Sequence, residues 1–286
     1  MAETESVSVL RAPPTSEQVP KLATYQLREY IRSRRFVILA AIVAIIGVLL
    51  TVVVAHFRGA IVSTNLAFYG SFWGGGVDIV IILSAVFFGG DAIAGEFQNK
   101  TGYFLMGLPI RRSAVYIGKY IAAYIASVVM LLLFLVILVL NGAYYFGSGL
   151  FPWQLGASFL LSLAYLAAVL GATFLFSSLF KTSAYGFVLT AILFLFGFTL
   201  IEDLLVSLVN IEPWMVISYA NSVISEIFQP TVNWGLTGQV VSTPIGPRTV
   251  IVSYVAGVGE GVIIMIAYFL LTAIGGLWLF EHEEFT

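Results

Sequence analysis

Apolar residues gather into six long runs separated by short polar stretches, a pattern unlike the three-to-four-residue alternation of a surface helix on a soluble domain. A bilayer's hydrocarbon core is about 30 Å thick, and roughly 20 apolar residues of helix cross it with every backbone amide satisfied internally. The runs predict spans over 36–55, 71–90, 116–140, 154–180, 184–201 and 261–280. The last is placed from Gly261 because Glu260 would be costly deeper in lipid. Before the first run, Ala23, Leu27, Tyr30 and Ile31 share one helical face, while Arg28, Glu29, Arg32 and Arg35 lie elsewhere on the wheel. This predicts an amphipathic interfacial helix over 21–35, its basic side among anionic headgroups, the alternative being a positive flank that only sets topology. Residues 1–20, with Pro13-Pro14 and many Ser, Thr and Glu, read as a flexible tail, and residues 281–286 as a second, short one. The expected fold class is an all-α integral membrane protein with a single six-span domain at 36–280.

Composition sharpens this. Residues of the AVILMFWYC set fill 60% of positions and charged residues only 10%, against about 25% charged in a soluble domain. A soluble fold is thereby excluded. The net charge of −2 provides no basic field for nucleic acid. With no cysteine in the chain, disulfides, thiolate metal sites and cysteine nucleophiles are excluded together. Some 35 polar and basic residues precede the first apolar run, so no removable signal peptide is expected. With the N-terminus inside, 11 of the 13 lysines and arginines fall on the cytoplasmic side, leaving Arg58 and Arg248 outside. That asymmetry predicts a multi-pass protein of the cell membrane with both termini cytoplasmic. In the long outer loop, residues 202–249, the run WMVISYANSVISEIFQP suggests a helix lying in or dipping into the outer interface, the alternative being an ordinary ordered loop.

The segment DAIAGEFQNKTGYFLMGLPIRRSAVYIGK, residues 91–119, joins the second and third spans on the cytoplasmic side. A connection that only reversed the chain could be about five residues long; this one has structure of its own. Gly89-Gly90 ends the second span, Ile93, Ala94 and Phe97 recur at helical spacing, and Lys100-Thr101-Gly102 supplies a helix stop. Pro109 then breaks the chain before Arg111-Arg112. A short helix held against the membrane by two adjoining spans can transmit force from a cytoplasmic partner by seating in a groove on it; alternatively it only anchors the loop.

The series Glu96, Thr101-Gly102, Leu105, Leu108-Pro109, Arg112 and Gly118-Lys119 resembles the signature of permease subunits of type-2 ATP-binding-cassette (ABC) exporters. Here the usual G-T pair is reversed, and Arg111 stands where a small residue is common. The resemblance implies a half-transporter that pairs with a second permease chain, identical or not, within membrane lipid. Two cytoplasmic ATPase subunits would carry ATP and Mg, with no cofactor in this chain. It also implies that the segment around Glu96 is a coupling helix, with Glu96, Lys100, Thr101, Gly102, Pro109, Arg111 and Arg112 as contacts to the ATPase, and that residues 21–35 form the elbow helix.

The residues themselves argue against an ATPase site in this chain. A phosphate-cradling G-x-x-x-x-G-K-[ST] loop is missing, because the only Gly-Lys pair, Gly118-Lys119, has Ser113 at the first-glycine position and Tyr120 after the lysine. His56 and His282 fall on opposite sides of the expected membrane and cannot share a metal ion. Asp78, just after Gly74-Gly75-Gly76, is the one carboxylate well inside a span. It must face the protein interior or a cavity or be protonated, as part of a translocation path, in a hydrogen bond between helices, or near the wet outer interface. An ion-coupled transporter or channel using Asp78 is the alternative to the ABC reading. A membrane-embedded enzyme is disfavoured because no set of catalytic residues converges on one side.

Overall fold

The structure, a computed structural model, describes residues 14–99, 110–147, 151–209, 211–229, 235–241 and 249–282. It is 85% helical. Six helices are long and apolar enough to cross a membrane, which makes the chain an all-α integral membrane protein. Helix α1 (Thr15–Arg32) leads into span 1, α2 (Arg34–His56), and a single turn, α3 (Arg58–Ile61), follows. Span 2 (Asn65–Gln98) comprises α4 (Asn65–Gly74), α5 (Val77–Gly89) and the short α6 (Ala94–Gln98). Spans 3 and 4 are α7 (Arg112–Phe146) and α8 (Trp153–Leu179). Span 5, α9 (Ser183–Val209), contains two π-helical turns, Leu193–Gly197 and Leu205–Val209. Helix α10 (Ile217–Glu226) and a hairpin of β1 (Gly235–Val241) and β2 (Thr249–Val255) precede span 6, α11 (Val258–His282).

Local chemistry sets the boundaries. Ser33 is extended and caps α2, accepting from the Phe36 amide at 3.2 Å, and Thr64 caps α4 through the Ala67 amide at 3.1 Å. Gly147 ends α7 at φ +82, a conformation that favours glycine. Several boundaries differ from the pattern, the end of span 3 at Phe146 among them, and three bear on the packing. Helix α1 starts at Thr15, ahead of residue 21, and runs through Pro20; its first turn is held by tertiary contact, with buried Gln18 accepting from the Arg111 amide at 3.1 Å. Span 2 starts at Asn65 and is interrupted at Gly75-Gly76. Span 5 continues past residue 201 to Val209, with Glu202 accepting a hydrogen bond from Ser218 Oγ of α10.

The core forms around span 2. Phe68, Tyr69, Phe72 and Trp73 are fully buried, and Trp73 stacks on Phe134 of α7 with centroids 5.5 Å apart. Spans 1, 5 and 6 keep most of their side chains outward, as apolar helices facing hydrocarbon do. The most extensive helix contact joins α8 and α11. It is close because Gly171 and Gly276 carry no side chain: a Cβ on Gly276 would sit 2.4 Å from the Tyr116 hydroxyl and 3.1 Å from the Leu175 Cα.

Helix α10 lies across the far end of the bundle, tied to four spans. Asn221 Nδ2 donates to Asp78 at 2.7 Å and Ser218 to Glu202, while its segment accepts from Ser158 at the Ile224 carbonyl and from Tyr268 at the Met215 carbonyl. Gly276→Val is expected to destabilise the fold by about 1–3 kcal/mol through overpacking. Gly156→Ala, where a Cβ meets nothing within 4 Å, is expected to be neutral or slightly stabilising. Thermal unfolding in detergent checks both.

Candidate functional site

At one membrane boundary, α1, α6, the start of α7 and the end of α8 meet. The chain leaves α5 at Gly89-Gly90, turns through Asp91, Ala92 and Ile93, and forms α6. A five-residue helix cannot support itself, so its neighbours fix it. Ser177 Oγ of α8 accepts from the Ile93 amide at 3.1 Å and the Ala94 amide at 3.0 Å, both residues fully buried. Lys119 of α7, 9% exposed, donates to the Ala92 carbonyl at 2.7 Å and forms an ion pair with Glu96. Gln98 Oε1 accepts from the Ser183 amide at 3.0 Å, linking α6 to the start of α9.

A second pair reinforces the first. Arg35, at the start of α2, pairs with Asp91. Tyr30 of α1 donates to the Phe88 carbonyl at 2.8 Å. Burial raises the Tyr30 phenol above its ordinary range, with Asp91 and Glu29 adding to the effect, so the hydroxyl stays protonated and keeps donating. Glu96, Asp91, Arg35 and Lys119 line a cavity of 660 Å³ between α1 and α6.

The site expected from sequence is only partly assembled here. Glu96 sits on α6 with Lys119 as its partner. Arg111 and Arg112 turn to other elements: Arg111 donates through its amide to Gln18 and through Nη1 to Thr15 at 3.3 Å, and Arg112 Nη1 donates to the Glu281 carbonyl at 3.0 Å. Those bonds bring α1, the start of α7 and the end of α11 to the same boundary. Lys100, Thr101, Gly102 and Pro109 lie outside the described residues. Asp78 is at the other end of α5, about 20 Å of helix away, in its hydrogen bond to Asn221.

Sequence reasoning did not reach Arg35, Asp91 and Ser177, and it gave Lys119 only as half of a Gly-Lys pair. The available signal was charge: a lysine one turn inside an apolar run needs a partner, and Glu96 is the carboxylate on the adjoining connection. The arrangement holds a short helix rigidly at a membrane boundary, with Gln98 and Asn99 exposed at its end. Lys119→Met removes the charge that pairs with half-buried Glu96, with an expected loss of about 1–3 kcal/mol, and Lys119→Met/Glu96→Gln is expected to recover part of it. Ser177→Ala orphans two buried amides, each worth about 1–3 kcal/mol. Faster hydrogen exchange at Ile93 and Ala94, against no change in Ser177→Thr, is the expected readout.

The sequence profile of ABC-2 family transporter proteins matches residues 31–197, from the end of α1 through span 4 and into span 5. No curated protein matches the sequence. The profile covers more than half of the chain, including both ion pairs and Ser177, and it agrees with the six-span fold. The chain belongs to the ABC-2 family of transporter proteins and is a membrane permease of an ABC transporter.

Proposed function

We propose that this permease works as one half of a two-chain ABC exporter, moving substrate with energy from ATP hydrolysed on separate cytoplasmic subunits that hold the ATP and Mg. The observation that carries the reading is the clamping of α6. Bonds from α7, α8 and α9 hold five residues against the ends of spans 2 to 5, so a push on α6 acts on these helices together. In this reading α6 is the coupling helix, and Glu96 orients it through Lys119 while Lys100, Thr101, Gly102 and Pro109 complete the contact with the ATPase. Arg111 and Arg112 act one step back, fixing the start of span 3 to α1 and to the end of span 6. The boundary carrying α1 and α6 is the cytoplasmic one, in keeping with the distribution of lysine and arginine.

Substrate movement would follow from differential contact: nucleotide-driven closure of the ATPases favours one arrangement of the two permease chains over the other. Asp78 and Asn221, which join span 2 to α10, stand at the outer end of that path.

A tagged chain is expected to co-purify with an ATPase subunit. Gly102→Val is expected to leave insertion intact and lower substrate-stimulated hydrolysis at least about tenfold, a loss of roughly 1.4 kcal/mol of coupling. Hydrolysis unchanged by Gly102→Val, or transport by the chain with no ATPase present, sinks the reading. In a chain free of native cysteine, Ser63→Cys should react with an impermeant thiol reagent from outside and Thr101→Cys only from inside.

A further inference from the structure

Two cavities meet at Arg35 and Asp91. On one side is the 660 Å³ cavity between α1 and α6, within the size range of small-molecule sites. On the other is a 240 Å³ groove bounded by Phe87 of α5 and by Ala184 and Phe187 of α9. The Phe87 and Phe187 rings stand edge to face at 5.6 Å and form its apolar wall. Arg35 and Asp91 line both spaces. A polar chamber and an apolar groove that share one ion pair at a membrane boundary have the shape of an amphiphile, its head on one side of the pair and its tail on the other.

The charges define the head. Three carboxylates, Glu29, Asp91 and Glu96, face the polar chamber against two cations, Arg35 and Lys119. Lys119 and Glu96 are closed on each other at its floor. Arg35 uses Nη1 on Asp91, yet its side chain is 59% exposed, and a guanidinium has five N–H donors. Its remaining donors can take a phosphate oxygen in the geometry that guanidinium groups favour. Glu29 accepts one hydrogen bond, from Gln26 at 3.0 Å, and a carboxylate has about four acceptor positions. With a phosphate at Arg35, an ammonium a few bonds away meets Glu29 and the open side of Asp91.

We propose that this pair of cavities is a binding site for a phospholipid with a primary-ammonium headgroup, the phosphate on Arg35, the ammonium facing Glu29 and Asp91, and one acyl chain in the groove between α5 and α9. A headgroup of net negative charge meets an excess carboxylate. A trimethylammonium lacks the N–H donors that the carboxylates take up, and a site built around hydrogen bonds discriminates strongly against an analogue without them. The consequence for transport rests on the coupling reading: a headgroup above Glu96 touches the residue that orients α6, so occupancy would reach the ATPase.

The binding test is independent of the ATPase. The full chain in detergent is titrated with phosphatidylethanolamine, phosphatidylcholine and phosphatidylglycerol of identical acyl chains, and retained lipid is counted by native mass spectrometry. The expected result is one phosphatidylethanolamine per chain, held at least about tenfold more tightly than the other two, a difference of about 1.4 kcal/mol. Glu29→Gln, at an exposed position, is expected to reduce that preference to less than about threefold, and Phe187→Trp, which fills the groove, to weaken retention of all three lipids. Equal retention of the three lipids, or phosphatidylethanolamine binding unchanged in both variants, overturns the proposal and leaves the coupling role of α6 standing. Selective binding in a chain whose Gly102→Val variant couples normally upholds the lipid site and removes only its link to the ATPase.

Discussion

Hydrocarbon offers a backbone no water, so wherever a helix in the membrane region stops or breaks, a protein group must take up the amides and carbonyls set free. Much of this structure follows from that constraint. Between α1 and α2 the Ser33 hydroxyl serves; before α4 it is Thr64. Where α5 gives way to α6 the chain makes a turn that its own backbone does not fully satisfy, and Ser177 of span 4 and Lys119 of span 3 reach across to complete it. The candidate site is therefore a helix break whose hydrogen bonds are completed by neighbouring spans, and that completion is what makes it stiff.

The six spans were legible because twenty-residue apolar runs have few alternative readings. What escaped were places where tertiary contact overrides local preference. Residues up to 20 read as a flexible tail, yet the chain is helical from Thr15, through Pro20, with Gln18 bonded to the Arg111 amide. Glu202 and Asp203 read as the end of a span, yet the Ser218 hydroxyl meets Glu202 and the helix continues through a π turn. Nor is the β1–β2 pairing a product of periodicity alone, although GLTGQVV and TVIVSYV flank a Pro- and Gly-containing connection. That the connection after span 5 holds a helix was readable from its aromatic and apolar residues; the four spans that α10 joins were not.

The candidate site was half legible for a related reason. Glu96 stood out through a motif, and motifs record residues close in sequence. Its partner lies 23 positions later, and Ser177 lies 84 positions from Ile93. Long-range pairs of this kind leave one trace in sequence, a polar residue at a position that should be apolar. Lys119 leaves that trace clearly and Ser177 barely, because small hydroxyl residues are common in membrane helices, where they also bond their own backbone, as Ser178 does to Phe174.

The Lys119–Glu96 pair itself adds little net stability, since desolvating two charges consumes most of what their attraction returns. Its value lies in the difference between states. The pair ties α6 to one position on α7, and removing either charge takes that directional contact away. An apolar contact of the same size would hold α6 about as firmly but would tolerate rotation and sliding, because dispersion has no direction. A short helix that is to act as the proposed coupling element needs direction more than strength. The charged pair, together with two amides converging on one serine hydroxyl, supplies it at the place where spans 2, 3 and 4 come together.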